Sequence, residues 1–203
     1  MTALRCIILV QIATTAALGQ LDQPRETAKQ TARSDAVVRS FYREIVARHP
    51  LGIPRRADMK ALAPYISNAL ARRLDTALAC ESDYYRLHHD PTLKPQIEWL
   101  EFGLFSGAWE EALPASFHVK GTQPEKDGSF HVDVGFTYGK PGDALRWHVT
   151  VIVVEESQHF VVDDVIYLKD EGDPGDVEPP LSKVLTLGCD GPRWVGYETD
   201  EVR

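Results

Sequence analysis

Three cysteines, two methionines and no long apolar run beyond Leu18 mark what this 203-residue sequence has little of. Without about eighteen consecutive apolar residues, the chain after Leu18 has no candidate membrane span. Positive charge is also short: 22 Lys and Arg stand against 30 Asp and Glu, a formal net charge of −8. That balance disfavours a general nucleic-acid binder or a polybasic membrane binder. Several catalytic signatures are missing too. There is no Gly-x-Ser-x-Gly elbow, phosphate-binding glycine loop, His-Glu-x-x-His or dinucleotide fingerprint, so no cofactor is expected. What is present suits one globular domain, with 43% hydrophobic residues and seven Phe, seven Tyr and four Trp for a core.

The amino terminus has the layout of a secretory leader: Met1 to Arg5 with one positive charge, an apolar run from Cys6 to Leu18, and small residues at Ala17 and Gly19. Residues 1–19 are predicted to be a signal peptide cut before Gln20, and the mature protein to be exported, periplasmic or secreted. Cleavage would remove Cys6 and leave Cys80 and Cys189 in an oxidising compartment, where one disulfide between them is the expectation. Two separate buried thiols are the alternative.

Residues 20–33 hold one Leu and no aromatic residue and read as a flexible lead-in, with a single domain over 34–203. Ser34 is a candidate cap for a helix carrying Val37, Val38, Phe41, Tyr42, Ile45 and Val46 at helical spacing. A second long helix is expected after Ser67, with Cys80 near its end, continuing through Tyr84 and Tyr85. Pro91 and Pro95 break the helical period, and Gly103–Gly107 reads as a turn within an aromatic connection. Four strand-like runs follow, over 115–121, 129–138, 145–155 and 159–168, separated by turn signals such as Lys126-Asp-Gly128. The acidic, proline-rich stretch 170–180 reads as a loop, and 181–187 as a short last helix. Helices first and strands afterwards predict an α+β domain, with N-terminal helices on a curved antiparallel sheet of four to six strands and a C-terminal extension.

Phe41-Tyr42, the aromatic connection through Trp99 and the strand Phe160-Val-Val-Asp-Asp-Val-Ile-Tyr167 together resemble the nuclear-transport-factor-like superfamily, which includes ketosteroid isomerase. Within it the chain is most similar to a group of secreted bacterial domains of unknown function. The likeness runs from about Ser34 to Leu168; the tail with Cys189, Trp194 and Tyr197 departs from it. It implies a cone-like fold with a pocket between the concave sheet face and the helices.

Strand alternation separates two faces. Phe130, Val132, Val134, Phe136 and Tyr138 share one side. Phe160, Val162, Asp164, Ile166 and Leu168 share one side of the last strand, which would set Asp164 among apolar residues. A carboxylate there is costly unless bonded, paired or protonated. One reading makes Asp164 a general acid–base with Tyr138 as its hydroxyl partner, as in an isomerase- or dehydratase-like enzyme. The other makes Asp164 structural, bonded to backbone amides or to an arginine such as Arg43. Tyr84, Tyr85, Trp99 and Phe136 are the candidate ligand-lining aromatics. The opposite face gathers His118, Lys120, His131, Asp133, Arg146, His148 and Asp163; with no ligand-spaced motif, a solvated or partner-facing surface is favoured over a metal site. The leading expectation is therefore an exported, non-catalytic binding domain for a small apolar ligand or a protein partner. An Asp164 enzyme is one alternative, and an interaction module or homodimer pairing through the polar sheet face is another.

Overall fold

The computed structural model describes residues 23–88, 102–109, 112–140, 142–168 and 179–196. The leader, Trp99, Tyr197 and most of the acidic stretch after Lys169 lie outside these residues.

The first helix, α1 (Gln23–Arg48), begins well before the expected cap. Pro24 and Glu26 stand in its first turn, where a missing N–H costs nothing and an acid meets the positive end of the helix dipole. Ser34 lies inside the helix, fully buried, and its hydroxyl donates to the Gln30 carbonyl at 3.0 Å. Residues 23–33 are thus helical rather than a flexible lead-in. Ala28, Lys29, Gln30, Ala32 and Arg33 are good helix formers, and their lack of apolar side chains reflects a turn facing water. Further along, Val38, Phe41, Tyr42 and Ile45 form the buried stripe.

After a short helix α2 (Arg56–Leu62) and a 3-10 turn, α3 (Asn68–Leu87) follows. The Ser67 hydroxyl caps it, accepting from the Leu70 amide at 2.8 Å. Leu70, Leu74, Ala77, Cys80, Glu81 and Tyr84 form its buried face, the three- and four-residue spacing of a helix side turned to a core. One small antiparallel ladder, β1 (Phe102–Gly103) with β2 (Ala108–Trp109), encloses the turn expected at Gly103–Gly107.

The main sheet is an antiparallel meander of β3 (Ser116–Pro124), β4 (Phe130–Tyr138), β5 (Leu145–Glu156) and β6 (His159–Tyr167), in that spatial order. All four expected strands are present, within a few residues of their predicted ends. The β5–β6 connection is a two-residue turn with Ser157 at φ +50° and Gln158 at φ +69°, the left-handed pair that matches hairpin twist. The carbonyl of Gln158 accepts from Arg33 at 2.6 Å, and the Arg33 guanidinium lies over the Phe160 ring. On the far edge of β6, Ile66 forms a parallel bridge to Val162.

The N-terminal helices pack against this four-stranded sheet, an α+β arrangement. Tyr42 meets Phe41 and Phe136 edge to face, with centroids 5.0 and 5.1 Å apart, and Phe105 meets Phe41 at 5.2 Å. The C-terminal extension contributes α4 (Leu181–Val184) and a hairpin of β7 (Cys189–Asp190) and β8 (Arg193–Trp194). Cys80 and Cys189 are at disulfide distance, 1.98 Å between sulfurs and 6.1 Å between Cα atoms, the expected pairing. Among the described residues no helix is long and apolar enough to cross a membrane.

Candidate functional site

Asp164 does not point into the core. Ile152 pairs with Asp164 and Val153 with Val162, so Asp163 is an extra residue on β6. Such a bulge reverses the alternation beyond it. Phe160 and Val162 face the helices before it, and Val165 and Tyr167 after it, all buried. Asp164 instead accepts the amides of Val165 and of Ser182 in α4, both at 2.9 Å. This is the structural arrangement on backbone amides, and it corrects the face assigned by simple alternation. Its neighbour Asp163 accepts the Ser67 hydroxyl at 2.5 Å and stands 3.7 Å from Arg73. The two consecutive acids therefore anchor the starts of two different helices, α3 and α4.

Nor does Tyr138 meet Asp164. Tyr138 pairs with Leu145 and Asp164 with Ile152, seven residues along β5, or about 23 Å at strand rise. Tyr138 is exposed at the strand end. The pair assigned to acid–base chemistry is not brought together.

Of the four aromatics expected to line a ligand pocket, Phe136 is fully buried between Tyr42 and Trp147. Tyr84 is buried and stacks on His88 at 4.2 Å while meeting Trp194 edge-on at 5.0 Å. Tyr85 is exposed, and its phenol is pushed above the usual range first by desolvation and then by the charge of Glu81. Trp99 lies outside the described residues. The three described ones, Tyr84, Tyr85 and Phe136, line neither of the two clefts described below.

The helix-facing side of the sheet is filled from within by the Gly103–Gly107 turn. Leu104, Phe105 and Ser106 are buried, and three consecutive carbonyls each take one aromatic donor: Tyr167 Oη to Leu104 at 2.5 Å, Tyr42 Oη to Phe105 at 2.7 Å and Trp147 Nε1 to Ser106 at 2.7 Å. Burial pushes the Tyr42 phenol far above its ordinary range, so it stays a donor. Gly107, at φ +68°, closes the turn with space for a Cβ only 3.1 Å from Tyr167. These three long-range bonds have no local signature in sequence.

The outer face is different. Gly135 sits opposite His118 on β3 and His148 on β5, and a Cβ there would come within 2.5 Å of the His118 ring and 2.8 Å of Lys120 Cε. Lys120 is the extra residue of a second bulge, between Val119 and Gly121. Beside it opens a cleft of about 310 Å³ lined by Lys120, Gly121, Gln123, His131, Asp133, Thr150 and Leu168. Asp133 Oδ1 is buried there with no hydrogen-bond partner. Among the described residues no group of His, Cys, Asp or Glu is arranged to hold a metal ion.

A second cleft, about 330 Å³, separates α3 from the C-terminal hairpin and includes Arg72, Arg73, Thr186 and Cys189. The hairpin is fixed by the disulfide and by Asp83, which accepts the Trp194 amide at 3.1 Å. Asp83 is held below the usual carboxylate range by Arg86 and then by that amide. Glu81, buried beside Cys80, is neutralised by a two-pronged pair with Arg55 at 2.6 and 2.9 Å.

No protein-family model matches the chain, and no curated protein matches it either.

Proposed function

We propose that this protein is an exported, non-catalytic binding domain on a nuclear-transport-factor-like scaffold, and that it meets its ligand or partner on the outer face of the sheet. The order of helices followed by a four-stranded meander supports the scaffold. The leader pattern, with its small residues before Gln20, and the pairing of Cys80 with Cys189 support export.

One contrast carries the binding reading. On the helix-facing side, Leu104 and Phe105 fill the space and Tyr42, Tyr167 and Trp147 satisfy the backbone of their turn. On the outer side, Lys120, Gln123 and Thr150 line an open cleft whose acid, Asp133, has one oxygen without a donor. Polar groups left unmet in a concavity are the usual marks of a ligand site. An acid–base enzyme built on Asp164 has less support, because its carboxylate is engaged by two amides.

The test is native mass spectrometry of protein recovered from the exported fraction, paired with photo-crosslinking from Gln123 on the outer face and from Arg39, exposed on the far side of α1. The reading expects a chain lacking residues 1–19, a retained mass, and crosslinks from Gln123 but not Arg39. A chain with no retained mass and equal crosslinking from the two positions would overturn it.

A further inference from the structure

We propose that the cleft around Asp133 binds a small zwitterion of amino-acid type, with the ligand's ammonium on the Asp133 carboxylate and its carboxylate on Lys120. The inference rests on the outer-face reading and gives it a ligand class.

The argument starts from the backbone. In the register of β3 and β4, Gly121 lies opposite Asp133, and Thr150 lies opposite it on β5. A Cβ built on Gly121 meets nothing within 4 Å. The absence of a side chain at that one position, together with the bulge that displaces Lys120, leaves room above the acid. Asp133 Oδ1 is buried without a donor, although Thr150 and Gln123 share its cleft. A carboxylate with one oxygen sealed from water and no donor from the protein is costly for a charged group, and a charge-assisted N⁺–H donor reaching the carboxylate from the cleft offsets that cost best.

A purely cationic ligand is disfavoured by the surroundings. Lys120 lines the same cleft, with its stem running over Gly135, and His131 stands on the next outward position of β4. Lys120 has no ion pair among the described residues. One cation and one acid, both unpaired and both lining a space of about 310 Å³, suit a ligand carrying the complementary pair of charges. Leu168 completes the wall with an apolar side chain, so the ligand's own side chain is expected to be aliphatic.

The experiment is titration of the full chain with L-leucine, 3-methylbutylamine, which lacks the carboxylate, and 4-methylpentanoate, which lacks the amine, followed by amide NMR shifts and calorimetry. Leucine should bind, and each truncated analogue should bind at least tenfold more weakly. Asp133→Asn and Lys120→Met should each lose at least tenfold. Gly121→Val, which puts a β-branched side chain into open space on an exposed strand, should abolish binding while circular dichroism and the unfolding midpoint stay those of the parent. The proposal is overturned if no aliphatic amino acid shifts residues 121, 133 and 150, or if Gly121→Val binds like the parent. If native spectra still show another retained mass that Gly121→Val removes, the outer-face reading stands and only this ligand class falls.

Discussion

The two faces of one sheet meet their polar groups in opposite ways. Toward the helices, the buried hydroxyls and the indole N–H of Tyr42, Tyr167 and Trp147 each find a carbonyl in the Leu104–Ser106 turn. Toward solvent, Asp133 Oδ1 is buried without any donor. Both faces are built from the same strands, so the difference lies in the side chains and turns that each face meets. Three buried donors satisfied on one side and an acid oxygen left unmet on the other is the contrast that supports the proposed outer-face site.

The sharpest way to break this comparison is to open the closed face. Phe105→Ala removes a buried ring between Phe41 and the sheet and should cost about 3–5 kcal/mol by urea denaturation. A loss below about 1 kcal/mol would mean that the turn does not fill the core as described.

Next in size is the disulfide. With its ends 109 positions apart in sequence, reduction or Cys189→Ser should lower stability by about 2–5 kcal/mol, read as a reductant-dependent shift in the urea midpoint. An unchanged midpoint would show that Asp83 and Tyr84 hold the hairpin without it.

Tyr42→Phe isolates one donor, since the ring stays and only the bond to Phe105 is lost. Leaving that carbonyl unmet should cost about 1–3 kcal/mol. On the outer face the sign should reverse: Asp133→Thr, a good strand residue that sheds the orphan charge, should leave stability unchanged or raise it by up to about 1 kcal/mol. If Asp133→Thr is instead as damaging as Tyr42→Phe, the two faces do not differ and Asp133 is structural.

The smallest effect is a pH dependence at the hairpin. Asp83 is held below its ordinary value in the folded protein, so its contribution is fully present above the unfolded carboxylate value. It should fade as pH falls through the lower folded value. Hydrogen exchange at the Trp194 amide should accelerate on acidification in the parent, beyond the intrinsic trend. In Asp83→Asn the extra acceleration should be gone.

Much of the sheet was legible beforehand because β4 alternates cleanly, with Phe130, Val132, Val134 and Phe136 buried and His131 and Asp133 half-buried. The capping role of Ser67 and the disulfide were likewise readable from residue type and position. The face of Asp164 was not, because alternation assumes an uninterrupted pleat and one inserted residue inverts everything after it. Two adjacent acids in the middle of an apolar strand were the available sign of that interruption. The helical start of α1 was missed for another reason: apolar spacing detects a buried stripe, and the first turns of this helix have none. Pro24 followed by Glu26 was the local mark of its beginning. The cleft itself could not be read in advance, since it depends on Gly121 standing across from Asp133, a register that only strand pairing reveals.

The bond from Cys80 to Cys189 closes the chain into a covalent ring that takes in the end of α3, the entire sheet and α4, while α1 and α2 remain outside it as a linear arm. A single protease cut within the ring leaves one piece of unchanged apparent mass until a reductant is added. A single cut before residue 80 leaves the arm attached by packing alone, to be shed as soon as the fold opens. Limited proteolysis read with and without reductant therefore separates arm from ring in one gel.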